Sequence, residues 1–366
     1  MTTYINYFTV LSKIRDIDKP EWRTTAAGLV VLRLVDDWFK HGHRLIHTDS
    51  PALEVARDVL AQIPRTDILR ALLAQILDAV EHADTVETQA ANEPLITYAW
   101  ELQGRGNFDL AQDVIFPLQF RAEAKKDVRT IIKTSAKLGY LLRITGQLDL
   151  AEENYNKAMH YARASGDVES EVRATIGRAK LLVLRGAVTY ADSQCADAAV
   201  RARSIGATMV YSSSLHDQAF VAATQGEYHN ALSLYYKVLQ QENRHPHRVM
   251  ADLAASLLRV GRISESRHIN LVLAVSAQEQ STRWQATNNL MNAAILERDQ
   301  SAFELYQSAL TLTPLPPWLA MGYHQASAIG YRAFGNNVKA RNELHKMNMV
   351  ARKHQICIDH PPATSN

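Results

Sequence analysis

The chain has 366 residues, 47% of them hydrophobic, and its 40 basic and 38 acidic side chains leave a net charge of +2. That length exceeds what one compact core organises, so two domains or one elongated array is expected. The balanced charge excludes a general electrostatic case for nucleic acid or membrane surfaces. The longest uncharged apolar run, Ala26 to Leu32, is far short of the roughly 20 residues a membrane span needs.

Apolar residues recur at three and four along nearly every segment, which predicts an all-α chain. Tyr4 to Arg15 reads as a first helix, broken at Asp18-Lys19-Pro20. Pro20 to His41 reads as a long second one. Ser50-Pro51 and Thr66-Asp67 are start signals for two more, the last reaching Ala83. The interval His41 to Asp49 is the boundary candidate among these four helices.

From residue 85 a cadence sets in. Turns of the form Gly-x-apolar-x-x-Ala begin at Gly106, Gly146, Gly186 and Gly226, each 40 residues after the last. The series continues at Gly261 and Gly335, with Glu297 to Ala302 filling the gap without a glycine. Seven residues before each turn glycine stands a small residue: Ala99, Gly139, Ala179, Ala219, Ala254 and Ala328. Four residues after the turn alanine comes a larger one, such as Ile115, Tyr155, Tyr235, Tyr306 or Leu344. Each unit is therefore a helical hairpin. Glycine ends the first helix, small residues sit where the two antiparallel helices cross, and the units stack because a lone hairpin cannot bury its apolar face.

Leu138-Gly139, Gly146, Ala151, Tyr155 and Ala158 together resemble the tetratricopeptide repeat signature, and Ala302, Tyr306, Ala309 and Pro314 follow the same order. Units near 40 residues, against 34 in the standard repeat, are similar to those of kinesin light chains and bacterial peptide-sensing regulators. The resemblance implies a right-handed superhelical solenoid of antiparallel helix pairs. The expected organisation is an N-terminal helical bundle or divergent repeats over 1–84, seven hairpins over 85–354 and a tail over 355–366.

No catalytic motif survives inspection, and no cofactor or metal is expected. Gly104 to Phe108 lacks the lysine and strand of a phosphate loop. His41, His43 and His47 have no Cys or acidic partner at zinc spacing. Asp36 and Asp37 point to different helix faces. Cys195 falls at a core register position, and Cys357 lacks a matched base. Two distant cysteines and the lack of a secretion signal suit a reducing cytoplasm.

Function is expected on the concave face, lined by the first helix of each unit. The residues placed there are Trp100, Lys133, Tyr140 and Arg143 in the first two units, then Arg173, Lys180, His216 and Phe220, then Arg248, Trp284 and Asn288. Seven cations against one glutamate on the full face suggest a basic, aromatic groove for an acidic or amphipathic peptide or protein segment. The main reading is a noncatalytic scaffold or adaptor. The alternative is a regulator whose superhelix closes on a signal peptide, and a helical-repeat RNA binder carries the lowest weight. A homodimer is compatible with the sequence; a membrane partner is not.

Overall fold

A residue in the left-handed region closes a helix by letting two successive amides turn back onto its last free carbonyls. At Gly146 (φ 78°) the amide donates to Arg143 O at 3.2 Å and the next amide, of Gln147, donates to Leu142 O at 2.8 Å. The same pair of bonds recurs at Gly106, Lys126, Gly166, Gly186, Gly206 and Gly226, so the chain reverses every 20 residues. The computed structural model in which this is seen describes residues 20–41, 51–82, 91–243, 245–311 and 315–357. The expected helix at Tyr4 to Arg15, the interval after His41 with His43 and His47, Pro314 and the residues after Cys357 lie outside these.

All regular elements among the described residues are α-helices, and they fall into two units, Met1–Leu141 and Leu142–Asn366. The first holds α1 (Pro20–His41), α2 (Pro51–Ala61), α3 (Ile68–Glu81), α4 (Asn92–Gly104), α5 (Phe108–Lys125) and most of α6 (Val128–Ile144). Pro51 opens α2 as expected, and the Asp67 carboxylate caps α3 by accepting from the Leu69 amide at 3.0 Å. α1 and α3 pack together, α3 meets α4, and α4 pairs with α5. The fully buried ring of Tyr98 on α4 lies over Gly28 of α1, where a β-carbon would meet the phenol oxygen at 2.1 Å.

The second unit holds α7 (Leu148–Ser165), α8 (Val168–Leu184), α9 (Val188–Ser204), α10 (Thr208–Thr224) and α11 (Tyr228–Leu239). After these come α12 (Pro246–Arg259), α13 (Ile263–Ser276), α14 (Gln280–Leu296), α15 (Gln300–Thr311), α16 (Pro317–Ala333) and α17 (Asn337–Lys353). Each first helix packs on its own second helix and on the first helix of the next pair, so α8, α10, α12, α14 and α16 form one inner row. The small residues expected at the crossings are buried: Ala151, Ala179, Ala191, Ala219, Ala231 and Ala254 are each fully shielded. Tyr155 and Tyr235 fill the space beside them, and Cys195 takes the same place in its pair, where burial pushes its thiol well above the ordinary value.

The sixth pair departs from its expected register by one residue. Its left-handed turn residue is Arg298 (φ 61°), one place after Glu297, and Arg298 donates to Ala333 O at 3.3 Å. Phe303 and Leu310 therefore occupy the positions that Ala151 and Ala158 hold four pairs earlier, and Tyr306 is half-exposed. A phenylalanine at a crossing needs space from its neighbour. Gly330 on α16 supplies it, since a β-carbon there would stand 2.2 Å from the ring.

The last turn of this unit touches its beginning. After α17, Gln355 is left-handed (φ 53°), and the following residues run against α8, where the Cys357 amide donates to Leu184 O at 2.8 Å. His354 covers Gly146, its Nδ1 3.4 Å from the glycine carbonyl oxygen.

Candidate functional site

Within the second unit the inner row encloses a cavity of about 120 Å³. Its apolar wall comes from Leu184, Phe220, Ala223, Ala255 and Leu319, with Tyr235 behind them. Arg143, Lys180, Arg248, Asp252, Gln285 and Asn288 bring polar groups to it, and Trp318 and Gly322 close it from α16. Six successive first helices, from the end of α6 to α16, contribute.

Five of the residues expected on the inner face line this cavity: Arg143, Lys180, Phe220, Arg248 and Asn288. His216 stands just behind it. The histidine is buried with its Nε2 2.8 Å from Asp252 Oδ2, while Gln285 Nε2 donates to the other Asp252 oxygen at 2.5 Å. On its far side His216 Nδ1 is 3.8 Å from Asp217 Oδ1, and Asp217 is held by Lys180 at 2.5 Å. A chain of polar contacts thus runs under the floor from Lys180 on α8 through Asp217, His216 and Asp252 to Gln285 on α14. Burial by itself raises the Asp252 carboxyl. The bond and charge of His216, the bond from Gln285 and the charge of Lys180 more than offset this and hold it below the usual carboxylate range.

The remaining expected residues are elsewhere. Trp284 is only 8% exposed and belongs to the packing of α14. Arg173 is exposed on α8 and pairs with Glu169 one turn back at 2.6 Å. Trp100, Lys133 and Tyr140 belong to the first unit. There Lys133 pairs with Glu93, and Trp100 carries a cation over its face: Lys137 Nζ is 3.3 Å from the ring centroid and 5.9 Å from that of Tyr140. Lys137 is buried and bonds Gln103 as well. It was not among the expected face residues, although it lies within the stretch that includes Lys133 and Tyr140.

The basic character of the face is therefore partly met within the chain. Lys133, Arg173 and Lys180 each have a carboxylate of this chain, and Arg143 and Arg248 have partners too. Several bonds join residues about one repeat apart: Glu93 with Lys133, His216 with Asp252, and Gln285 with Asp252, at separations of 40, 36 and 33. Opposite charges one period apart on first helices were the signal in the sequence that marks such pairs. Among the described residues no cluster of three or more His, Cys, Asp or Glu is arranged to hold a metal, and no helix is long and apolar enough to cross a membrane.

A second, wider cavity of about 670 Å³ opens between α7 and α9, with α8 beneath. The buried Glu171 sits in its wall, where Arg201 donates at 2.6 Å and Arg163 at 2.8 Å, and these bonds hold the carboxyl below its ordinary value against its burial.

No protein-family model matches the chain, and no curated protein matches it. Solved structures do. A Rap protein complexed with competence and sporulation factor aligns over 91% of this chain and 99% of its own, with a TM-score of 0.57 at 10% identity. The Rap conjugation gene regulator of the plasmid pLS20, in complex with the Phr* peptide, aligns over 90% and 96%, with a TM-score of 0.60 at 14% identity. At these identities the likeness is one of fold.

Proposed function

We propose that this chain is a noncatalytic, peptide-responsive regulator, a long-unit tetratricopeptide-like array that takes an extended peptide along its inner row. The helices before residue 85 are then the part that engages a target, and the hairpins over 85–354 are the receptor. The observation that carries this reading is the cavity itself, mostly apolar, with a few convergent polar groups drawn from six successive first helices. The two Rap structures, one solved with competence and sporulation factor and the other with the Phr* peptide, share the fold and support the same reading. An adaptor role for the groove is the second reading, favoured by the wider cavity between α7 and α9, whose three arginines and two carboxylates suit a protein partner better than a buried peptide.

The test is selection of a displayed random heptapeptide library on the full chain, followed by titration of the enriched peptide. Charge reversal at Lys180 is unsuitable, because it sets a second carboxylate against buried Asp217. Ala255→Arg fills the cavity from a half-exposed position instead. The enriched peptide is expected to bind the wild type and to lose at least about tenfold in affinity with Ala255→Arg at unchanged helicity. No enrichment, or equal binding to both proteins, contradicts the proposal.

A further inference from the structure

Two neighbouring asparagines on α14 are both buried, yet they are used differently. Asn289 Nδ2 donates to Ala251 O at 3.1 Å and to Asn270 Oδ1 at 3.2 Å, tying α14 to α12 and α13. Asn288, with 1% of its surface exposed, lines the cavity, and its carbonyl oxygen has no partner among the described residues. Across the same cavity the indole N–H of Trp318 on α16 is also buried without a partner among the described residues. Of the other polar groups of the cavity, Asp252 is bonded by His216 and Gln285, Lys180 is held by Asp217, and the Ser256 hydroxyl donates to the Asp252 carbonyl.

A buried acceptor and a buried donor without protein partners are costly unless water or a ligand meets them. Their chemistry is complementary to one group. An amide offers an N–H to the Asn288 oxygen and a carbonyl to the Trp318 N–H, and it carries no charge. Of the cations around it, Lys180 already holds the Asp217 carboxylate, and Arg143 and Arg248 are engaged within the chain.

We propose that Asn288 and Trp318 are the specificity-determining pair of the inner cavity and that they recognise an uncharged amide of the bound peptide, from its main chain or from a Gln or Asn side chain. This rests on the peptide reading above and narrows it, turning the expected occupant from an acidic residue to a neutral hydrogen-bonding one with an apolar neighbour against Phe220 and Leu319.

The experiment uses the full chain and the heptapeptide enriched from the displayed library. Asn288→Leu removes the acceptor at similar volume, and Trp318→Phe removes the N–H and keeps an aromatic ring. Each is expected to weaken binding about tenfold, while the melting temperature of the free protein stays level or rises, because an unsatisfied buried group has gone. A merely structural role moves the melting temperature down instead. In the peptide, N-methylation at one position, or Gln/Asn→Ala at one position, should cost wild-type affinity and cost the Asn288→Leu protein nothing further; which substitution does so tells main chain from side chain. Wild-type binding with both variants within twofold of it overturns the pair, and leaves the groove standing with water at these atoms. Failure of any peptide to bind the wild type overturns the pair and the groove together.

Discussion

Glycine serves two ends at the turns, and two positions separate them. At Gly226 (φ 84°) an added β-carbon meets nothing within 4 Å, so only the left-handed backbone demands the residue. At Gly146 (φ 78°) the same backbone is joined by His354, whose Nδ1 would lie 2.3 Å from the new carbon. Gly226→Ala is expected to cost about 1 kcal/mol, the ordinary penalty of a left-handed alanine. Gly146→Ala is expected to cost about 2 to 3 kcal/mol, because either the turn or the contact with the chain end has to move. Urea unfolding of the two variants measures the difference. Equal costs mean that the His354 contact contributes nothing to stability.

Among the elements, α10, α12 and α14 are joined by charge as well as by packing, since Asp252 is bonded from His216 on one side and Gln285 on the other. The folded carboxyl titrates below its unfolded value near 4. Its contribution is therefore present above that value and lost as pH falls through the folded one. Asp252→Asn is expected to destabilise the protein at neutral pH by about 3 kcal/mol, the usual cost of leaving a buried partner uncompensated. The gap from wild type should close on acidification; a constant gap from pH 7 to pH 3 contradicts this account. The helix pairs were legible in the sequence because the turn glycines and crossing alanines answer to local sterics. The reversal at Lys126, midway between glycines, was not legible, since nothing about a lysine announces a left-handed turn. Nor was the true register of the sixth pair, where Glu297 and Arg298 are equally unlike glycine and the large Phe303 is tolerated only through Gly330 on the next first helix.

For the molecule as a whole, the inner face was partly legible. Periodicity placed Arg143, Lys180, Phe220, Arg248 and Asn288 on it, and all five line one cavity. What spacing alone did not convey is that Lys180 is already paired, because its partner Asp217 lies on the next first helix, one repeat away. That changes the expected ligand from acidic to neutral and leaves Asn288 and Trp318 as the polar groups awaiting it. The central claim is that a peptide occupies the inner row, and amide hydrogen exchange of the full chain with and without the enriched heptapeptide tests it most directly. Slower exchange on α8, α10, α12, α14 and α16 is the predicted result; slowing confined to α7 and α9, around the outer cavity, would contradict it.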